Sequence, residues 1–457
     1  MDKNFVNLNT NPCKMCMPMG SISAFYGVRK CMTILHGSQG CATYIRRHMA
    51  THYNEPVDVA SSSLTEEGAV FGGEKNLMKG LDNLIRLYDP DVIGVPTTCL
   101  AETIGEDTEG IVARYVEAHP GLRVKIVTVA SAGYSGTQFE GFFRTLRALV
   151  SQTEPDAAPN GKVNIVTNMI SPADTRFLKA LVSGMGIDAI FLPDLSENLD
   201  GVHKEAYDRL PMAGTSLAEI AQMAGATCTI EMSSFFDPSY SPGQFLLEKY
   251  GVPLRRTALP VSLRDTDRLI ALLSLAGGIV TDGIEKERGR FLDAMVDSHK
   301  YNAQARAAVF GEPDFVFAVC RLLVENGAMP VVAATGSVCP SFREMLEPEL
   351  AGLAGFHLGE KPVALDDCDF AEIESYVKKL GVNVLVGNSD GRRIAEAAQV
   401  PLVRCAFPVH DHVGGQRIRT LGFEGGLMLL DRITNAVISG VETTFRRELY
   451  EKYYGSA

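Results

Sequence analysis

Apolar runs of four to six residues that stop at a loop former recur along the chain: "DVIGVPTTC", "RVKIVTVAS", "KVNIVTNMIS", "DAIFLPDLS", "RAAVFGEPD", "MPVVAATGS" and "VNVLVGNSDG". Short unbroken apolar runs of this kind read as parallel strands buried on both faces. Between them lie stretches with apolar residues three and four apart, such as "GGEKNLMKGLDNLIRLY", "PADTRFLKALVSGMG", "TDRLIALLSLAGG" and "AEIESYVKKLG", which read as amphipathic helices. The repeated strand-loop-helix rhythm predicts an α/β fold of doubly wound parallel sheets, with ligand sites on the loops at the carboxyl ends of strands. Two stretches break the rhythm. One is the polar, proline-containing "SQTEPDAAPNGK" at 151–162. The other is "EKERGRFLDAMVDSHKYNAQARAAVFGEPD" at 285–314, which reads as a long helix leading into a new strand. They divide the chain into three Rossmann-like domains, 1–155, 156–300 and 301–457.

The 457 residues are ample for three cores. A formal net charge of −12, with no long cluster of Lys and Arg, argues against a nucleic-acid surface. The N-terminal "MDKNFVNLNTNP" has no apolar signal core, and no uninterrupted apolar stretch is long enough for a membrane helix, so a cytoplasmic protein is expected. In that reducing compartment ten cysteines are not a disulfide framework but buried small hydrophobes or metal ligands. Cys228, Cys320 and Cys405 sit in apolar runs and read as inert core. Cys31, Cys339 and Cys368 lean the same way.

Cys16, Cys41 and Cys99 differ, because each stands beside glycine or proline in an apparent loop: "NPCKMCMPMG", "HGSQGC" and "VPTTCLAETIGED". "CKMC" at Cys13 to Cys16 has the spacing of a zinc or redox dithiol pair, but no second pair completes a zinc ribbon and no strand precedes it. Iron–sulfur ligation suits thiolates on separate loops, with Gly20, Gly37, Gly40 and Gly105 letting backbone amides approach sulfide. Tight turns with chance cysteines are the plain alternative, and spacing alone leaves both open. No phosphate-loop glycine pattern is present, so ATP binding by this chain is not expected. His36 reads as a turn residue bonded to backbone, His410 and His412 as a solvated loop, and Asp265, Glu285 and Glu287 as surface residues.

Taken together and in order, "CMPMGSISAFYGVRKCMTILHGSQGCATYIRRH", "HYNEPVDVASSSLTEEGAVFGGEKNLMKGLDNL" and "DPDVIGVPTTCLAETIGEDTEG" resemble the nitrogenase component 1 β-subunit family. The likeness continues through "ERGRFLDAMVDSHKY", "GEPDFV", "GNSDGRRIA" and "VPLVRCAFPVHDH", nearly the whole chain. The resemblance implies three α/β domains, an α-type partner in an α2β2 assembly, and an eight-iron P-cluster at the α–β interface. Cys16, Cys41 and Cys99 match the family's cluster cysteines on this subunit, and Ser38, in the loop shared with Gly40, matches a serine beside the cluster. Phe71 in "AVFGG" matches an exposed aromatic at the docking surface for the ATP-dependent iron protein. The substrate-reducing cofactor belongs to the partner.

Departures bear on which relative this is. Where the molybdenum family has a serine that approaches the oxidised cluster, this chain has Gly133, with Ser131 and Ser135 nearby. A long N-terminal extension is missing, and "LPDLSENLDG" followed by "AGTSLAEIA" looks more like the cofactor-assembly scaffold's β-type subunit. That subunit typically keeps only the cysteine of "HGSQGC", whereas all three are here. The mixture suits a nitrogenase-like reductase, methylthio-alkane reductase ahead of a dinitrogen-reducing enzyme and both ahead of the scaffold.

Overall fold

The protein is described by a computed structural model over residues 13–206, 208–351 and 361–454; the polar N-terminal stretch read above therefore lies outside the described residues. The expected rhythm folds into three parallel sheets. The first contains β1 (Cys31–Leu35), β2 (Ala60–Ser61), β3 (Val92–Pro96) and β4 (Lys125–Val129), in the order β2-β1-β3-β4. The second contains β5 (Val163–Val166), β6 (Ala189–Leu192), β7 (Cys228–Glu231) and β8 (Leu254–Arg256), in the order β6-β5-β7-β8. The third contains β9 (Arg306–Phe310), β10 (Met329–Ala334), β11 (Val363–Leu365), β12 (Val384–Gly387) and β13 (Leu402–Arg404), in the order β11-β10-β9-β12-β13. The runs read as strands fall on β3, β4, β5, β6, β9, β10 and β12, and nearly all their residues are buried, as unbroken apolar runs require.

In every sheet the chain starts at an inner strand, winds outward on one side, and crosses back to continue on the other. The order therefore reverses between β1 and β3, between β5 and β7, and between β9 and β12. Loops leaving strand ends at such reversals diverge and open a crevice, the usual ligand position in this architecture.

The first sheet is tied to its neighbours by the helix Met17–Phe25, whose residues are all buried. It lies directly on the helix Gln138–Gln152. A Cβ added at Gly20 would come to 1.8 Å from the Gln138 carbonyl oxygen, and one at Gly141 to 2.1 Å from that of Met17. Both glycines are there because two backbones touch.

Polar contacts join the sheets at their reversal points. Asp314, just past β9, accepts from Asn168 Nδ2 beyond β5 (2.7 Å) and from the backbone N–H of Ser234 beyond β7 (3.2 Å). Glu312 accepts from Gln138 Nε2 (2.6 Å) and from Ser337 Oγ (3.4 Å). Asp265, expected at the surface, is fully buried; it accepts from Arg321 Nη1 at 2.5 Å, a partner 56 residues away that local charge density does not reveal. Glu285 is exposed and Glu287 half-buried.

Burial pushes the carboxyls of Glu312 and Asp314 up to about 7, overcoming the opposite pull of their hydrogen-bond donors. A folded-state pKa raised in this way contributes stability that is whole below the ordinary values of 4.5 and 3.8 and is lost as pH rises through about 7. Glu312→Gln and Asp314→Asn remove that ionisation. We expect the fall in melting temperature between pH 4.5 and pH 7 to be shallower in each variant, by up to about 3 kcal/mol in stability per site. Melting curves of the variants that track the unaltered protein at every pH would remove these two acids as the cause.

Candidate metal centre

Cys41 and Cys99 reach one face by the same local route. β1 ends at Leu35, His36-Gly37-Ser38 turns the chain, and the helix Gln39–Tyr53 carries Cys41 in its first turn. β3 ends at Pro96, Thr97-Thr98 turn the chain, and Cys99 opens the short helix Cys99–Thr103. β1 and β3 are the pair at which the first sheet reverses, so both thiols stand in its crevice. Cys16 arrives from elsewhere, as the residue capping the helix Met17–Phe25, and its backbone pairs with Thr137 in an isolated antiparallel bridge.

The three thiols share an environment. Although the residue is exposed, partial desolvation by its surroundings pushes the Cys16 thiol up; the Met19 N–H pulls it back, and the nearby Cys41 and Cys99 push it up further. Thiols so placed oppose the ionisation of Cys16 unless a cation takes up the charge. Gly133 fits between two of them: its N–H donates to Cys99 Sγ at 3.1 Å, and a Cβ there would lie 3.2 Å from Cys16 Cβ and 3.3 Å from Cys99 Sγ. Ser38 Oγ lies 4.0 Å from Cys41 Sγ. Among the described residues, no group of three or more His, Cys, Asp or Glu side chains could hold a single metal ion. The spread-out, all-thiol donor set suits a polynuclear iron–sulfur group better than one ion.

Exposure separates these cysteines from the rest. Cys16 and Cys99 are exposed and Cys41 half-buried, whereas Cys13, Cys31, Cys228, Cys320, Cys339, Cys368 and Cys405 are buried. The "CKMC" pair is thereby split. Cys13 packs with Cys368 in the core of the third sheet, and Lys14 Nζ lies 3.2 Å from Asp367 Oδ1. Exposed apolar side chains stand close in sequence to the three thiols and their anchors: Tyr44 three residues beyond Cys41, Tyr134 next to Gly133, and Val338 next to Ser337, which bonds Thr137.

A family model for nitrogenase component 1 type oxidoreductase matches residues 16–438, from the first of these cysteines to the last long helix. The chain belongs to the nitrogenase component 1 type oxidoreductase family. It is 35% identical over 442 residues to a nitrogenase molybdenum-iron protein beta chain of Methanococcus maripaludis, covering 94% of each chain. It is 33% identical to the beta chain of that name from Clostridium pasteurianum, covering 97% of this chain and 96% of the other. To a nitrogenase vanadium-iron protein beta chain of Trichormus variabilis it is 32% identical. A chain in a solved structure of nitrogenase Cp1 superposes with a TM-score of 0.90 at 32% identity, covering 95% of this chain and 94% of that one.

Within this component 1 chain, several residues stand differently from what their neighbours in sequence suggest. Gly20 serves helix contact, as above, and Gly37 makes room for Thr98, whose Oγ1 would lie 1.8 Å from a Cβ there. Gly105 is needed for its φ of +75°, and a Cβ at Gly40, beside Cys41, would lie 3.9 Å from Ser38 Oγ. Of the glycines near the thiols, Gly133 is the one whose amide meets sulfur, and no local pattern distinguishes it. Ser131 is fully buried and donates to the Thr97 carbonyl at 2.8 Å, which turns it from the thiols; Ser135 is exposed. Phe71, the last residue of the helix Glu66–Phe71, is 83% exposed. His36 is fully buried, with Nδ1 3.0 Å from Ser62 Oγ and Nε2 3.2 Å from Glu106 Oε2; its ring partners are side chains rather than backbone. His410 and His412 are exposed.

Thiol accessibility gives a direct check. In the isolated chain under reducing conditions, N-ethylmaleimide is expected to modify Cys16, Cys41 and Cys99 well before the seven buried cysteines. Peptide mass mapping that finds Cys13 or Cys368 labelled as fast as Cys99 would contradict this arrangement.

Proposed function

We propose that this chain is the β-type, electron-relaying subunit of a nitrogenase-like reductase, and that Cys16, Cys41 and Cys99 are its thiolate ligands to an eight-iron P-cluster shared with an α-type subunit. The observation that carries this reading is the meeting of three thiols from three separate segments on one face of a component 1 chain. Thiolates are the standard protein ligands of iron–sulfur groups, and N–H donors to sulfur, such as that of Gly133, tune their potentials. When bound, the cluster stores and passes on electrons. The chain's own work is to hold the thiols in register and shield them, with Ser38 and Gly40 on the Cys41 side.

Three thiolates leave most irons of so large a cluster uncapped, so the remaining ligands must come from an α-type partner, within an α2β2 assembly. Tyr44, Tyr134 and Val338 suit such a contact, which for an obligate pair buries more than ~2,000 Å². Phe71, with the exposed Val70 beside it, is the proposed docking point of the ATP-dependent iron protein. The substrate is then reduced on the partner. The mixture of Gly133, a scaffold-like "LPDLSENLDG" and all three cysteines favours an organic thioether, cleaved as R–S–CH3 plus two electrons and two protons to R–H and CH3SH; dinitrogen reduction is the second reading, favoured by the names of the relatives.

Cys41→Ala or Cys99→Ala in the purified complex is expected to remove the cluster's magnetic-resonance signal and lower iron content, because one iron loses its anionic soft ligand. Normal iron in both variants would overturn the ligand assignment, and about half the expected iron in the unaltered protein would point to the four-iron scaffold instead. Phe71→Ala should raise the amount of iron protein needed for half-maximal turnover about tenfold and leave the signal intact. Methanethiol or ammonia as the product separates the two substrates.

A further inference from the structure

Glu106 is buried and bonded at both ends. It follows Gly105, whose positive φ ends the turn after the Cys99 helix, and its side chain is only 8% exposed. Oε1 accepts from the Gly73 N–H at 2.7 Å and Oε2 lies 3.2 Å from His36 Nε2. Gly73 caps the helix Glu74–Tyr88 two residues after Phe71, and Gly72 between them has φ +91°. A Cβ at Gly73 would lie 2.9 Å from His36 Cε1, so this turn rests against the imidazole itself.

His36 is fixed on its other sides to both thiol loops. Its Nδ1 meets Ser62 Oγ, which also accepts from the Gly37 N–H at 3.0 Å. Its carbonyl accepts from the N–H and the Oγ1 of Thr98, each at 3.1 Å, and Thr98 is the residue before Cys99. Burial holds the imidazole below its usual range against the pull of Glu106, so at neutral pH it is the uncharged ring that donates to the carboxylate. Hydrogen bonds to an ionised acceptor are short and directional, and a carboxylate so enclosed is costly to leave without them. The Phe71–Gly73 turn therefore cannot shift without moving Glu106 or His36.

We infer that Glu106 and His36 are positioning residues that register the two thiol loops against the Phe71 turn, so that a partner seated on Phe71 alters the surroundings of Cys41 and Cys99. The inference rests on the docking and cluster roles proposed above. It concerns the link between them, which touches neither the reductase nor a thiol.

The test uses the complete complex with its reductase. Glu106→Ala is expected to weaken docking about tenfold and, with no reductase present, to shift the cluster's midpoint potential and resonance line shape. Glu106→Gln keeps an acceptor for Gly73 and, with the other imidazole tautomer, a donor to His36, and should restore both. Weakened docking with an unchanged potential would overturn the link. If Glu106→Ala does not assemble, amide exchange in the unaltered complex decides: protection at Gly73 and at Gly37 should rise together when the reductase docks, and a rise at Gly73 alone would overturn it. Missing iron in the unaltered complex would instead count against the function itself.

Discussion

The thiol face depends on one contact, the touching of two helix backbones at Gly20 and Gly141. Residues 17–25 could not otherwise lie under the helix Gln138–Gln152, and Cys16 sits at the end of the buried helix they form. Cys41 and Cys99 need no such device, because winding of the first sheet already brings the ends of β1 and β3 side by side. A fold that supplies two thiols by topology is thus completed by a third, brought in by close packing. Any side chain at Gly20 would have to displace backbone, a far stiffer obstacle than a neighbouring side chain.

Much of this was legible in the chain. Unbroken apolar runs such as "DVIGVP" and "RAAVF" became central strands because burial on both faces demands that composition. Elements with weaker patterns, the two-residue β2 and the partly exposed β8 "LRR", carry too little apolar signal to be read. The three thiols were visible as loop cysteines, but what brings them together was not. His36 was misread because its partners, Ser62 and Glu106, are 26 and 70 residues away, and the same distance problem hid the burial of Asp265 against Arg321. Local pattern reports which face of an element is buried. It does not report which polar groups meet inside.

The three sheets also share an electrostatic logic. Each reversal point contributes a loop rich in polar groups, and those of the second and third meet at Asp314, while Glu312 leans on the helix beneath Cys16. Two carboxyls raised towards neutrality by burial, and fully hydrogen-bonded, hold the sheets together by geometry as much as by charge. The first sheet differs in carrying accessible thiols at its reversal where the third has buried acids.

The arm before Cys16 has a consequence for the order of assembly. Cys41, Cys99 and the helix behind Cys16 are positioned by contacts within residues 17–152, so a nascent chain can arrange them early in synthesis. Cys13 and Lys14 rest on Gly336, Cys368 and Asp367, which leave the ribosome only when most of the chain has been made. Residues that precede the first sheet are thus among the last to be locked down. Cys16 is itself held early, by its backbone bridge to Thr137, so it is the closure of residues 13–14 beside it, onto the third sheet, that becomes a checkpoint on completion of the whole subunit.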